Sequence, residues 1–142
     1  MSLDNIEVVN HTDESGLESL FKLKWLGSVF KELGLLKPLS LNILTDKQLL
    51  EVNQQSLNHD YYTDVITFDY TDDEDIEQNE ILISIDRIKE NAQANNATVT
   101  KEIHRIAIHG MLHLSGLNDA TSSEKEKMTS EENRLLALYC ST

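Results

Sequence analysis

Cysteine is almost missing from this chain. Cys140 stands alone, so no internal disulfide can form and the expected home is a reducing cytoplasm. Cys140 itself reads as a small residue near a helix end. Positive charge is scarce as well. There are 12 Lys and Arg against 25 Asp and Glu, a formal net charge of −13. Phosphate binding usually shows as a basic patch, so this balance weighs against nucleic acid. The acids are clustered, however. "DYTDDEDIEQNE" holds seven of them between Asp69 and Glu80, the pattern of a solvated loop that can lie far from a working surface. No apolar run approaches the ~20 residues of a membrane span. "MSLDNIEVVN" lacks the basic start and apolar block of a secretory signal. There is no internal repeat, linker or low-complexity segment. What remains is an ordinary globular composition, 39% hydrophobic with 6% aromatic residues. At 142 residues the chain can build one core and is short for two.

The hydrophobic pattern orders the elements. "IEVVN", Ile6 to Asn10, is a short β-branched strand. Leu17, Leu20, Phe21, Trp25, Val29, Phe30 and Leu33 recur at helical spacing and predict a helix over Ser15 to Leu33, with Trp25 in the core. Gly34 and Pro38 suit its stop. "LSLNILT" is a strand, and Thr45 with Gln48 opens a helix that runs to about Leu57. "DVITFDY" and "EILISI" predict an antiparallel pair joined by the acidic loop. "DRIKENAQANN" is a polar helix. Thr98 or Thr100 caps a longer one running to Ser115. Thr121 with Glu124, or Ser123 with Glu126, starts the last, which carries Met128, Leu135, Leu136 and Leu138. The order β-α-β-α-β-β-α-α-α predicts a single α+β domain over 1–142: a small mixed sheet of about four strands packed with about five helices.

The chemistry sits in "HGMLHLSGLND", His109 to Asp119. Residues four apart on a helix point the same way, so His109 and His113 present both rings to one side. Gly116 can take a left-handed conformation, end the helix and turn the chain back. Asp119 then reaches the face the histidines line. Two imidazoles and one carboxylate make a three-ligand site with an open position, the arrangement of a catalytic zinc. Two histidines at this spacing are, taken alone, more often surface or satisfied core residues. Here the apolar flanks of "RIAIHGMLHL" predict a buried helix, whose imidazoles need partners. His104 reads as a surface histidine or one that supports the ligands from behind. His11 and His59 lie too far along the chain for spacing to place them. Gly110 fills the slot where an HExxH protease keeps its general base. A phosphodiester, which carries its own proton acceptor, therefore fits better than a peptide.

Beyond these spacings, "HGMLHLSGLND" resembles the signature of the YbeY family, H-G-x-L-H-L-x-G-Y-D-H, matching at His109, Gly110, Leu112, His113, Leu114 and Gly116. "TDVITF", Thr63 to Phe68, is similar to that family's T-D-V-[LI]-[ST]-F, and "EILISIDRI" resembles the strand and helix start between them. Order and intervals agree over Leu41 to Leu138. The resemblance implies a metal-dependent endoribonuclease acting on single strands in ribosomal RNA maturation and ribosome quality control. It also implies one divalent ion, zinc, and a ribosomal protein or ribosome-associated GTPase as partner. No membrane is implied, and no oligomeric state.

Two departures stand out. The family's third histidine falls at Asp119, preceded by Leu117 and Asn118 in place of its tyrosine and acid. An aspartate is harder and anionic; it makes bound water less acidic or favours a harder metal such as manganese. An arginine that contacts RNA phosphate in the family falls at Leu57. Thr63 and Asp64 read as structural, and Thr67 faces either the sheet or the cleft. Two other readings stay open: a metallohydrolase of another substrate, including peptides, and a non-catalytic ribosome-associated factor with a structural metal. To reconcile RNA with an acidic chain, Arg87, Lys89, Lys101 and Arg105 are expected beside the metal cleft. The acids of Asp69 to Glu80 are expected away from it, and RNA binding is expected to be weak and steeply salt-dependent.

Overall fold

"LSLNIL" is apolar or small at every position because it becomes the centre of a sheet. This computed structural model describes residues 2–3, 5–59 and 61–140. β3 (Leu39–Leu44) is buried along its whole length. It pairs in parallel with β2 (Ile6–Asn10) on one side and β5 (Asn79–Ser84) on the other. β4 (Val65–Phe68) runs antiparallel to β5 at one edge, as the hairpin reading predicted. A two-residue strand, β1 (Ser2–Leu3), adds an unpredicted antiparallel edge beyond β2.

Alternation along the strands splits the core in two. Leu39, Leu41, Ile43, Ile81 and Ile83 join the large cluster under the helices. Leu44, Ile66 and Leu82 point to the opposite face and meet Leu49, which lies on α2 (Asp46–Leu57). Burial of each such side chain contributes about 1.5–3 kcal/mol. The large cluster is covered by α1 (Leu23–Glu32), α3 (Ile85–Ala94), α4 (Val99–Leu114) and α5 (Ser122–Tyr139). α4 lies innermost and is buried from Glu102 to Leu114 at ten positions. No helix among the described residues is long and apolar enough to cross a membrane.

The helix starts follow the side-chain caps. Thr45 and Gln48 form a reciprocal capping box, as do Thr121 and Glu124, and Thr98 rather than Thr100 caps α4. The helix expected over Ser15 to Leu33 is broken. A 3-10 turn over Leu17–Leu20 is followed by extended backbone at Phe21 before α1 begins. The cause is His104. Its Nε2 accepts the Lys22 N–H at 2.9 Å, and its Nδ1–H donates to the Thr100 carbonyl at 2.6 Å. His104 is fully buried, packed against Phe21 and Trp25. It is neither at the surface nor bonded to His109 or His113, which corrects its sequence reading: it pins the start of α1 to α4. Trp25, which packs on it, is half-buried rather than core, and Leu138 is exposed.

Both His104 nitrogens are engaged only in the neutral ring. Burial, the largest influence, pushes its pKa below the ordinary 6.5, with Lys22 adding to the depression and the Thr100 bond opposing it. Between the folded and unfolded values the unfolded chain binds more protons, so stability falls as pH drops below 6.5. The slope from one such group is at most about 1.4 kcal/mol per pH unit. His104→Asn is expected to be less stable at pH 7.5, yet to lose less further stability between pH 7.5 and 5.5 than the parent. Urea melts at the two pH values check this, and parallel losses would remove the assignment.

The acidic segment between β4 and β5 closes around Lys37, which lies outside it. The Lys37 ammonium donates to the carbonyls of Tyr70, Asp73 (2.6 Å) and Ile76 (2.7 Å).

Candidate metal centre

α4 ends as the glycine predicted. Gly116 has φ +107, its N–H bonds the His113 carbonyl, and the Leu117 N–H reaches back to the Leu112 carbonyl. This double closure turns the chain sharply, and the half-buried Leu117 packs on the core to fix the turn. Asp119 is thereby returned to the face of α4 that carries His109 and His113. The result is a triangle of donor atoms. His109 Nε2 and His113 Nε2 are 3.2 Å apart. Asp119 Oδ2 lies 3.3 Å from the first and 3.4 Å from the second. An ion with tetrahedral bonds of about 2.0–2.1 Å has ligand–ligand edges of about 3.3–3.4 Å. The three residues predicted from spacing therefore form a set into which a divalent ion fits. They are the metal-capable cluster found among the described residues, and three donors leave a tetrahedral position open.

Glu132, which the sequence reading missed, completes the geometry. Its Oε2 lies 2.6 Å from His109 Nδ1, and its Oε1 lies 3.4 Å from Arg105 Nη1. A carboxylate accepts and does not donate, so the Nδ1 proton stays on the ring and Nε2 is aimed into the triangle. Carboxylates hold metal-ligating histidines in this way. The Glu132 bond is the largest influence raising the His109 pKa above its ordinary 6.5, with burial opposing it and Asp119 and Asp64 adding to the rise. Glu132 is 7% exposed and lies on the buried stripe of α5 with Met128, Leu135 and Leu136. A carboxylate at i+4 on an apolar stripe was the available signal.

Gly110 has a reason of its own. A Cβ there would lie 2.7 Å from Ile81 Cδ1 and 3.1 Å from Thr67 Oγ1. α4 rests directly on the sheet at this point, so the slot of the protease glutamate is taken up by Ile81 of β5 and Thr67 of β4.

The triangle opens into a cleft of about 520 Å³ lined by Thr63, Asp64, Val65, Thr67, Asp69, His109, His113 and Asp119. Thr67 thus faces the cleft. The charge layout corrects the expectation drawn from sequence. No Lys or Arg is among the lining residues, and Asp69, the first acid of the run, is. Three of the predicted cations pair with acids instead of lining it: Arg87 with Asp46 at 3.1 Å, Lys89 with Glu14 at 2.9 Å, and Arg105 with Glu132. Lys101 and Arg105 border a separate cavity that also touches Trp25 and Cys140. Three of the four found an acid, which a chain with twice as many acids as bases makes easy.

The family model described as "Endoribonuclease YbeY" matches residues 5–139. The chain belongs to the YbeY endoribonuclease family. An Endoribonuclease YbeY of Cytophaga hutchinsonii is 44% identical over 115 residues, 80% of each chain. That of Porphyromonas gingivalis is 37% identical over 120 residues, 84% of this chain and 79% of its own. A solution structure of a Thermotoga maritima protein superposes with a TM-score of 0.62 at 26% identity, covering 94% of this chain and 91% of that one. The α+β architecture expected for a YbeY chain is the one observed. The YbeY position that carries an arginine in the resemblance is Leu57, which is exposed at the end of α2.

Proposed function

We propose that residues 1–142 work as one YbeY-type metallohydrolase domain, an endoribonuclease that cuts single-stranded RNA in ribosomal RNA maturation. His109, His113 and Asp119 hold one divalent ion, zinc. The observation that carries this reading is the near-equilateral triangle of donor atoms at the floor of an open cleft. When bound, the ion supplies Lewis acidity toward a phosphodiester and its attacking water. The chain supplies the rest. Glu132 keeps His109 Nε2 directed at the site. Gly110 places no base between the histidines, which suits a phosphodiester, whose own anionic oxygens take up a proton. A peptide substrate lacks such an acceptor. The open position favours catalysis over a structural ion, which takes four protein ligands.

An acidic cleft grips RNA phosphate poorly, so targeting to the ribosome falls to a partner, a ribosomal protein or a ribosome-associated GTPase, in the cytoplasm. The test is an end-labelled single-stranded ribosomal RNA fragment incubated with protein that has been stripped by chelator and then reloaded. Cleavage is expected only after zinc or manganese is restored. Binding of the same fragment should be weak, and its affinity should change little between 50 and 200 mM salt, because each phosphate contact adds about 0.7 to the slope on a single strand and the cleft lining offers no cation for one. Cleavage that persists in chelator would overturn the metal mechanism.

A further inference from the structure

The end of α2 and the segment after it place large side chains in water. Leu57 is 39% exposed, Tyr61 55% and Tyr62 52%. The two tyrosines immediately precede Thr63 and Asp64, which line the metal cleft. The backbone here is anchored. Asn58 ends α2 in the left-handed region at φ 54, and the His59 N–H bonds the Asn53 carbonyl at 3.0 Å. The Asn53 side-chain amide, with its residue 1% exposed, donates to the Tyr61 carbonyl at 2.8 Å. A buried amide is thus committed to holding the backbone of Tyr61, whose ring faces solvent.

The contacts those rings do make are flat. Tyr61 stacks on His59 with ring centres 5.1 Å apart and planes 22° apart, and its hydroxyl meets His59 Nδ1 at 3.0 Å. The Arg87 guanidinium lies over the Tyr62 ring at 5.1 Å. Each ring is stiffened by a planar neighbour while more than half of the residue stays open. Exposed aromatics held this way are a recognition surface rather than spare core. The adjoining cleft has no lining cation with which to hold a polyanion.

We infer that Tyr61 and Tyr62 form a stacking platform for unpaired RNA bases beside the metal cleft, holding the strand by its bases where the cleft lacks a grip on phosphate. The inference rests on the endoribonuclease reading above. Stacking on aromatic side chains tolerates any base and needs the base unpaired, because a duplex keeps its base faces covered. The platform therefore makes the enzyme select single strands by their exposed faces, and the preference survives added salt.

The probe is an eight-nucleotide single-stranded RNA, with an abasic oligomer of equal length and charge beside it. Binding is measured on the full chain in chelator, which prevents cleavage, and KM and kcat are measured after reloading with zinc. The parent is expected to bind the base-bearing RNA more tightly than the abasic one at both 50 and 200 mM salt. The double variant Tyr61→Leu with Tyr62→Leu should lose roughly 30-fold or more in affinity, seen mainly in KM, and its preference over abasic RNA should disappear. Tyr61→Phe with Tyr62→Phe keeps the rings and should retain the preference. Circular dichroism of each variant separates these effects from misfolding. A leucine variant that binds and cleaves with parental KM, or a parent that does not distinguish abasic RNA, overturns the platform while leaving the nuclease intact. A parent that neither binds nor cleaves any RNA overturns the endoribonuclease reading and the platform with it.

Discussion

Replacing Gly110 by glutamate is expected to unfold the protein, not to turn it into a peptidase. By sequence alone Gly110→Glu restores the residue that an HExxH helix uses as base, and it looks like a gain. The packing says otherwise. The first added atom would already lie 2.7 Å from Ile81 Cδ1 and 3.1 Å from Thr67 Oγ1, and Ile81 is fully buried in the centre of the sheet. Overpacking a tight core costs about 1–3 kcal/mol, and a carboxylate with no partner costs several more. Domains of this size are stable by roughly 5–15 kcal/mol. Gly110→Ala is the milder control: it gains about 1 kcal/mol of helix propensity and must push the Ile81 side chain aside. Thermal melts should rank parent, alanine and glutamate in that order, with the last losing a cooperative transition at ambient temperature. A glutamate variant that melts like the parent would mean that α4 can lift from the sheet.

Loss of His113 should remove metal, activity and metal-dependent stability together. Each edge of the donor triangle involving His113 has the ligand-to-ligand spacing that a shared ion needs, and the residues that would hold it span α4 and the turn behind it. Ion binding therefore favours the folded chain, by about 2.7 kcal/mol at a hundredfold excess over Kd. For a domain of this size that corresponds to a rise in Tm of about 10 °C. His113→Ala is expected to melt at the same temperature with and without zinc, to hold less than one-tenth of the parental metal, and to cleave RNA no faster than chelated parent. Asp119→Ala should fall between the two, and Asp119→His, with a third imidazole, should regain binding. Elemental analysis and paired melts decide. A parent whose Tm ignores zinc would leave the triangle without a tight ion.

What was legible in the sequence was local. Thr45 with Gln48, Thr98, Thr121 with Glu124, and Gly116 each act within one helical turn of themselves, and each behaves as its spacing implied. The histidine pair and Asp119 are close enough in sequence for a helix and one turn to bring them together. Apart from the short edge strand β1, the misses involve partners far apart in the chain. His104 breaks the first helical stretch through Lys22, 82 residues away. Glu132 reaches His109 from a different helix. Gly110 is glycine because of Ile81 and Thr67 across the layer, and not because a base is missing from the site. The fate of the cations was equally hidden, because Arg87, Lys89 and Arg105 are each claimed by an acid on another element. Net charge counts such pairs without revealing who is paired.

Lys37 has a bearing on every metal experiment proposed for this protein. Acid-rich turns with converging carbonyls commonly recruit calcium or another dissolved cation. Here the carbonyls of Tyr70, Asp73 and Ile76 already enclose an ammonium that is covalently part of the chain. This counter-ion is supplied at a concentration set by its tether, and neither dialysis nor chelation removes it. The acidic turn should accordingly keep its shape in chelator and in zinc alike, so that a change in melting temperature on adding metal reports the histidine triangle and not the loop.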